Sequence, residues 1–108
     1  MKVRFHPEFP QELKRFEAEY GSISPGLAQR FRAEILSAID AVKASPSASG
    51  HYVNTGSQIV REFRRRNLRS FPFFILYGTT DEILIFGGII PSRSDPVTWL
   101  ARISTLGF

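Results

Sequence analysis

Five arginines, Arg61, Arg64, Arg65, Arg66 and Arg69, crowd into nine residues of this chain, and Arg93 stands alone further on. A guanidinium is a planar, permanently charged fork that matches carboxylates and phosphates two bonds at a time. A knot of them predicts a surface that grips something acidic. The residue types that would add covalent chemistry are missing. No cysteine occurs, which removes disulfides, thiolate catalysis and Cys-bound zinc together. His51 sits in a polar stretch with no second histidine or carboxylate at ligand spacing, so no metal site is expected. His6, beside Pro7, reads as a local hydrogen-bonding group. Glu17 and Glu19 read as solvated charge on a helix, and no cofactor is expected because no glycine-rich phosphate loop occurs. Gly87-Gly88 lies inside an apolar run and marks a bulge or a close backbone approach, or else room for a partner's side chain.

Each candidate residue has two readings. Arg64, Arg65, Arg66 and Arg69 are either a contact surface or charges that keep a strand edge from aggregating. Strand alternation prevents all four from facing one partner. Arg93 lies in a loop before a capped helix, a place where function is often carried; it is either a contact group or a partner for Asp95. Trp99 reads as core beneath a terminal helix, and Tyr77 either packs or projects its hydroxyl into a groove.

These residues need elements to hold them. At 108 residues the chain is read as one domain, 1–108, able to bury a modest core. The net charge of +4 is uneven. Residues 1–57 carry seven Lys/Arg against six Asp/Glu, and residues 58–108 seven against four. The excess on the second half favours encounter with an acidic partner. No signal peptide is visible, and the longest apolar run, 83–90, is far below the ~20 residues of a membrane span. No membrane association and a cytoplasmic location are expected.

Lys2 to His6 alternates as a half-buried strand does. Phe9, Leu13, Phe16 and Tyr20 form one helical stripe ending at Gly21, and Leu27, Phe31, Ile35, Ala38, Ile39 and Val42 form a second, opened by Ser24-Pro25. Residues 45–57, rich in Ser and Gly, read as a loop. Strands follow over 59–68, from Pro72 to Tyr77, and over 82–90, with a hairpin at 78–81. Asp95 and Pro96 open a final helix. The order β-α-α-β-β-β-α predicts an α+β domain with two antiparallel helices on one face of a small antiparallel sheet.

Phe5-His6-Pro7-Glu8, Leu27-Ala28-Gln29-Arg30-Phe31, the strand from Arg69 to Tyr77 and the closing Arg93-Ser94-Asp95-Pro96-Val97-Thr98-Trp99 share an order and spacing. Together they resemble the RelE/ParE superfamily of type II toxin–antitoxin toxins over nearly the whole chain, and the ParE branch in particular. The resemblance implies a toxin that inhibits DNA gyrase by protein contact, and an acidic antitoxin that folds on binding and neutralises it. Arg64, Arg65, Arg66, Arg69 and Arg93 would make surface contacts, with Tyr77 and Trp99 shaping the groove. The antitoxin is expected to cover the apolar sheet face that the helices leave open. The alternatives are a RelE-like, ribosome-dependent mRNA endonuclease using Arg93, or an inactive basic binding module. The nuclease is less well supported, because Phe74 stands where a RelE-type enzyme has an arginine. Trp99 replaces a late tyrosine, and an indole N–H cannot act as a general acid or base near neutral pH. Pro91 also stands where many ParE-like chains have a histidine.

Overall fold

The computed structural model describes residues 1–53, 62–80 and 82–103. The elements are β1 (Lys2–Phe5), α1 (Glu8–Gly21), α2 (Pro25–Ala44), β2 (His51–Val53), β3 (Glu62–Asn67), β4 (Phe73–Thr79), β5 (Ile83–Pro91) and α3 (Pro96–Ile103). They form an α+β fold on a five-stranded sheet of order β1-β5-β4-β3-β2.

The two long helices start and stop where local chemistry directs. Ser24 accepts the Gly26 N–H at 3.2 Å with Pro25 at the first helical position. Pro10 falls in the first turn of α1, where its missing N–H costs nothing. Phe9 and Phe16 of α1 and Phe31, Ile35, Ala38, Ile39 and Val42 of α2 are buried. They pack on one sheet face, against Phe73, Ile75, Tyr77, Leu84, Phe86 and Ile89. The joint is built of rings. Phe16 meets Phe73 at 4.6 Å between centroids, and Phe31 meets Phe71 and Phe73 at 5.2 and 5.5 Å, each pair contributing about 1 kcal/mol beyond burial.

Three expectations are corrected. First, the sheet is mixed. β3, β4 and β5 run antiparallel as consecutive strands, but β1 pairs with β5 in parallel, Lys2 to Ile83 through Phe5 to Phe86. Two helices and three strands separate β1 from β5 in the chain, so no hairpin dictates their relative direction. Second, the polar stretch 45–57 contains a strand: His51–Val53 pairs with Phe63–Arg65. Three residues held by a neighbour's backbone need no apolar pattern of their own. Third, the sheet face away from the long helices is closed. Phe63, Phe74, Leu76, Ile85 and Ile90 are all buried there with Trp99 of α3. Trp99 stands edge-on to Phe74 at 5.7 Å, and the Arg65 guanidinium lies 3.9 Å over the same ring. Residues 54–57 of the expected loop, 59–61 of the expected strand, with Arg61, and Asp81 of the hairpin lie outside the described residues.

Gly87 is the extra residue of a bulge in β5. Tyr77 pairs with Phe86 and Leu76 with Gly88, so Gly87 has no partner in β4. The bulge switches the alternation. Phe86 and Ile89, three apart, face the same core, and Ile85 and Ile90 face the other.

Candidate functional site

The arginines of β3 divide by strand parity. Arg64 donates to the Gly50 carbonyl at 2.8 Å and Arg66 to the Ser49 carbonyl at 2.7 Å. Ser49 in turn donates to the Ala41 carbonyl, and the buried Tyr77 hydroxyl donates to the Pro46 carbonyl, both at 2.7 Å. Four side chains thereby stitch the segment after α2 to the sheet and the helix. Arg65 points to the opposite face, where it covers Phe74 and donates to the Asn67 side chain at 3.1 and 3.3 Å. None of the three presents an idle guanidinium.

Arg69 and Arg93 are different. Both are exposed, and among the described residues neither guanidinium has a hydrogen-bond or ion-pair partner. Their turns are neighbours at one end of the sheet. Phe73 pairs with Pro91, and the Ser92 N–H donates to the Pro72 carbonyl at 2.9 Å. Each turn is held through its backbone. The Glu34 carboxylate of α2 accepts the N–H groups of Arg69 and Ser70 at 2.6 and 3.1 Å. Asp95, which sequence reading offered as a partner for Arg93, is engaged otherwise: its carboxylate accepts the Val97 N–H at 3.0 Å and caps α3. Two cations with unused donors, on turns whose backbone is hydrogen-bonded, can bind carboxylates or phosphates. Trp99 is buried beneath α3, and Tyr77 between the sheet and the long helices, so neither side chain reaches the surface.

A second cluster has no counterpart in the sequence reading. Glu12 is buried, only 6% exposed. Its carboxylate accepts the Ile89 N–H at 3.0 Å and the Arg102 guanidinium at 2.9 and 3.0 Å, while Arg102 Nε donates to Glu8 at 2.9 Å. Burial pushes the Glu12 carboxyl up, against the pull of the Ile89 hydrogen bond and of Arg102. His6 lies beside the cluster, and its Nδ1 accepts the Glu8 N–H at 3.1 Å. Burial first, and then Arg102, lowers its affinity for a proton, so Nδ1 stays free to accept. The signal available in the sequence was Glu12 itself, a carboxylate interrupting the stripe Phe9-Leu13-Phe16.

The open apolar surface lies elsewhere. Phe5, Phe9, Pro10, Leu13, Leu36 and Ile39 line a shallow groove of about 330 Å³ without polar lining. Phe5 and Leu36 are 43% and 45% exposed within it. It borders β1, an edge strand whose Lys2 and Arg4 are exposed. No described helix is long and apolar enough to cross a membrane.

No family model and no curated protein matches this chain in sequence. A solved structure described as "Chromosomal ParDE TA system from P. aeruginosa" has the same fold, with a TM-score of 0.69. The match covers 86% of this chain and 97% of that one at 16% sequence identity.

Proposed function

We propose that this chain, which shares its fold with a component of a ParDE system, is the toxin of a type II toxin–antitoxin pair and acts by binding DNA gyrase. The observation that carries the mode of action is the placement of Arg69 and Arg93. They are exposed, uncommitted cations on adjoining turns, each mounted on backbone that a helix carboxylate or a strand pairing holds still. Such a surface suits recognition of an acidic protein patch. Among the described residues no acid–base pair of the kind phosphodiester cleavage needs stands beside the arginine. Asp95 is occupied as a helix cap and Trp99 is buried.

The correction to the sheet supports a different proposed place for the antitoxin. The face once expected to receive it is filled by Trp99 and its neighbours. Among the described residues, the groove around Phe5 and Leu36, with β1 as an open edge and Lys2 and Arg4 beside it, suits an acidic segment with apolar side chains. Binding there would cover apolar surface and pair strand backbone in one event.

Pulse labelling of DNA and protein synthesis in the minutes after expression of this chain alone in a bacterial host tests the target. An early fall in DNA synthesis, with loss of supercoiling by purified gyrase, is expected. An early fall in protein synthesis with fragmented mRNA would replace this reading with the endonuclease.

A further inference from the structure

β1 stops too soon to cover β5. Its pairing ends at Phe5 with Phe86, followed by one more bond from the His6 N–H to the Phe86 carbonyl at 2.8 Å. The chain then turns into α1. Beyond that point the outward backbone groups of β5 would have no strand to meet. Side chains take over: Glu12 accepts the Ile89 N–H, and Arg102 Nη1 approaches the Gly87 carbonyl at 3.4 Å. A carboxylate from α1 and a guanidinium from α3 thus continue the sheet edge where the strand ends.

This arrangement also joins two helices that lie on opposite faces of the sheet. Arg102 is three residues after Trp99, so both project from the same side of α3. Trp99 anchors that side to the sheet face, while Arg102 passes the open edge to reach α1. Glu8 and Glu12, one turn apart on α1, receive it as a fork. The seat depends on Gly88. A Cβ there would meet Arg102 Nη1 first of all and Glu12 Oε1 at 3.1 Å, so the guanidinium lies where a side chain would otherwise be. The Arg93 loop leads directly into the first turn of α3, a helix about 12 Å long with these two anchors.

We propose that Arg102 is a positioning residue: seated between Glu8 and Glu12 on the side-chain-free patch at Gly88, it fixes α3 to α1 and so fixes where the Arg93 loop stands. The proposal builds on the reading of Arg93 as a target contact. Buried ion pairs are weak contributors to net stability, because desolvation offsets attraction, but they specify geometry when every polar atom is met. Here no described buried side-chain N or O lacks a partner.

The test uses the full chain with Arg102→Met, which removes the charge, and independently Gly88→Ala, which fills the seat and leaves every charge in place. Backbone hydrogen exchange over residues 97–103 should quicken about tenfold or more in both, while α2 amides from Phe31 to Val42 keep their wild-type rates. Growth arrest should weaken in parallel, and Arg102→Lys should recover part of both effects, since one ammonium can still meet a carboxylate. Unchanged exchange over 97–103 in both variants overturns the proposal whatever happens to growth. Faster exchange with undiminished arrest, where Arg93→Ala abolishes arrest, also overturns it and leaves the toxin reading standing. If Arg93→Ala leaves arrest intact as well, the Arg93 surface and its positioning fall together.

Discussion

Two arginines nine positions apart, one before α3 and one in its last turn, live in opposite circumstances. Arg102, in the last turn, is held by two carboxylates and a carbonyl against a strand edge. Arg93, before the first turn, stands exposed with no partner among the described residues. The same division runs through the arginine knot: Arg64 and Arg66 are committed to loop carbonyls, and Arg69 is not. Residue type and density therefore announce a basic surface, but only geometry separates the cations that build the fold from those left for a partner.

That division can be broken most forcefully at Glu12. Glu12→Ala removes the acceptor of the Ile89 N–H and one of the two carboxylates that hold Arg102, and should cost about 3 kcal/mol by chemical denaturation, the low end for breaking a buried pair because Glu8 still meets the guanidinium. Arg93→Ala should stay within about 0.5 kcal/mol of wild type, as surface changes without contacts do. Between these two lies Tyr77→Phe, which takes one hydrogen bond from the Pro46 carbonyl. A loss of about 1 kcal/mol is expected, with growth arrest retained once expression is matched.

Acidity sharpens the comparison further. Burial raises the folded-state Glu12 carboxyl above its unfolded value, so the folded chain holds that proton more tightly. Its contribution is fully present below the ordinary glutamate range and is lost as pH rises through the folded value. Glu12→Gln should flatten the melting-temperature profile across that window. His6 works in the other sense. Its folded value is lowered, first by burial, so the stability it contributes is present above the ordinary histidine range and lost as pH falls through the folded value. His6→Asn should reduce that acid-side decline; a profile that is unchanged in both variants would mean neither group titrates with folding.

Much of the scaffold was legible in residue order because periodicity is a local property. The stripes of α1 and α2, the Ser24 cap and the apolar β4 and β5 all reappear at their expected places. What escaped depended on distant partners. β2 exists because β3 offers it backbone, and the parallel pairing of β1 needs β5, some eighty residues away. The partners of Glu12, Ile89 and Arg102, lie 77 and 90 residues later in the chain. Gly87-Gly88 carried a legible hint: the bulge is there, and the close approach is made by a side chain where a backbone was expected. Gly87 is the bulge, and Gly88 is the close approach, made by a guanidinium.

The most direct test of the division is a pair of double variants compared at equal expression and with measured stability. In Arg69→Ala/Arg93→Ala the melting temperature should stay within a degree or two of wild type, on the order expected for uncommitted surface groups, while growth arrest and gyrase inhibition are lost. Full arrest in that variant, with arrest lost instead in an equally stable Arg64→Ala/Arg66→Ala chain, would contradict the account and place the working surface on the arginines that here hold the fold together.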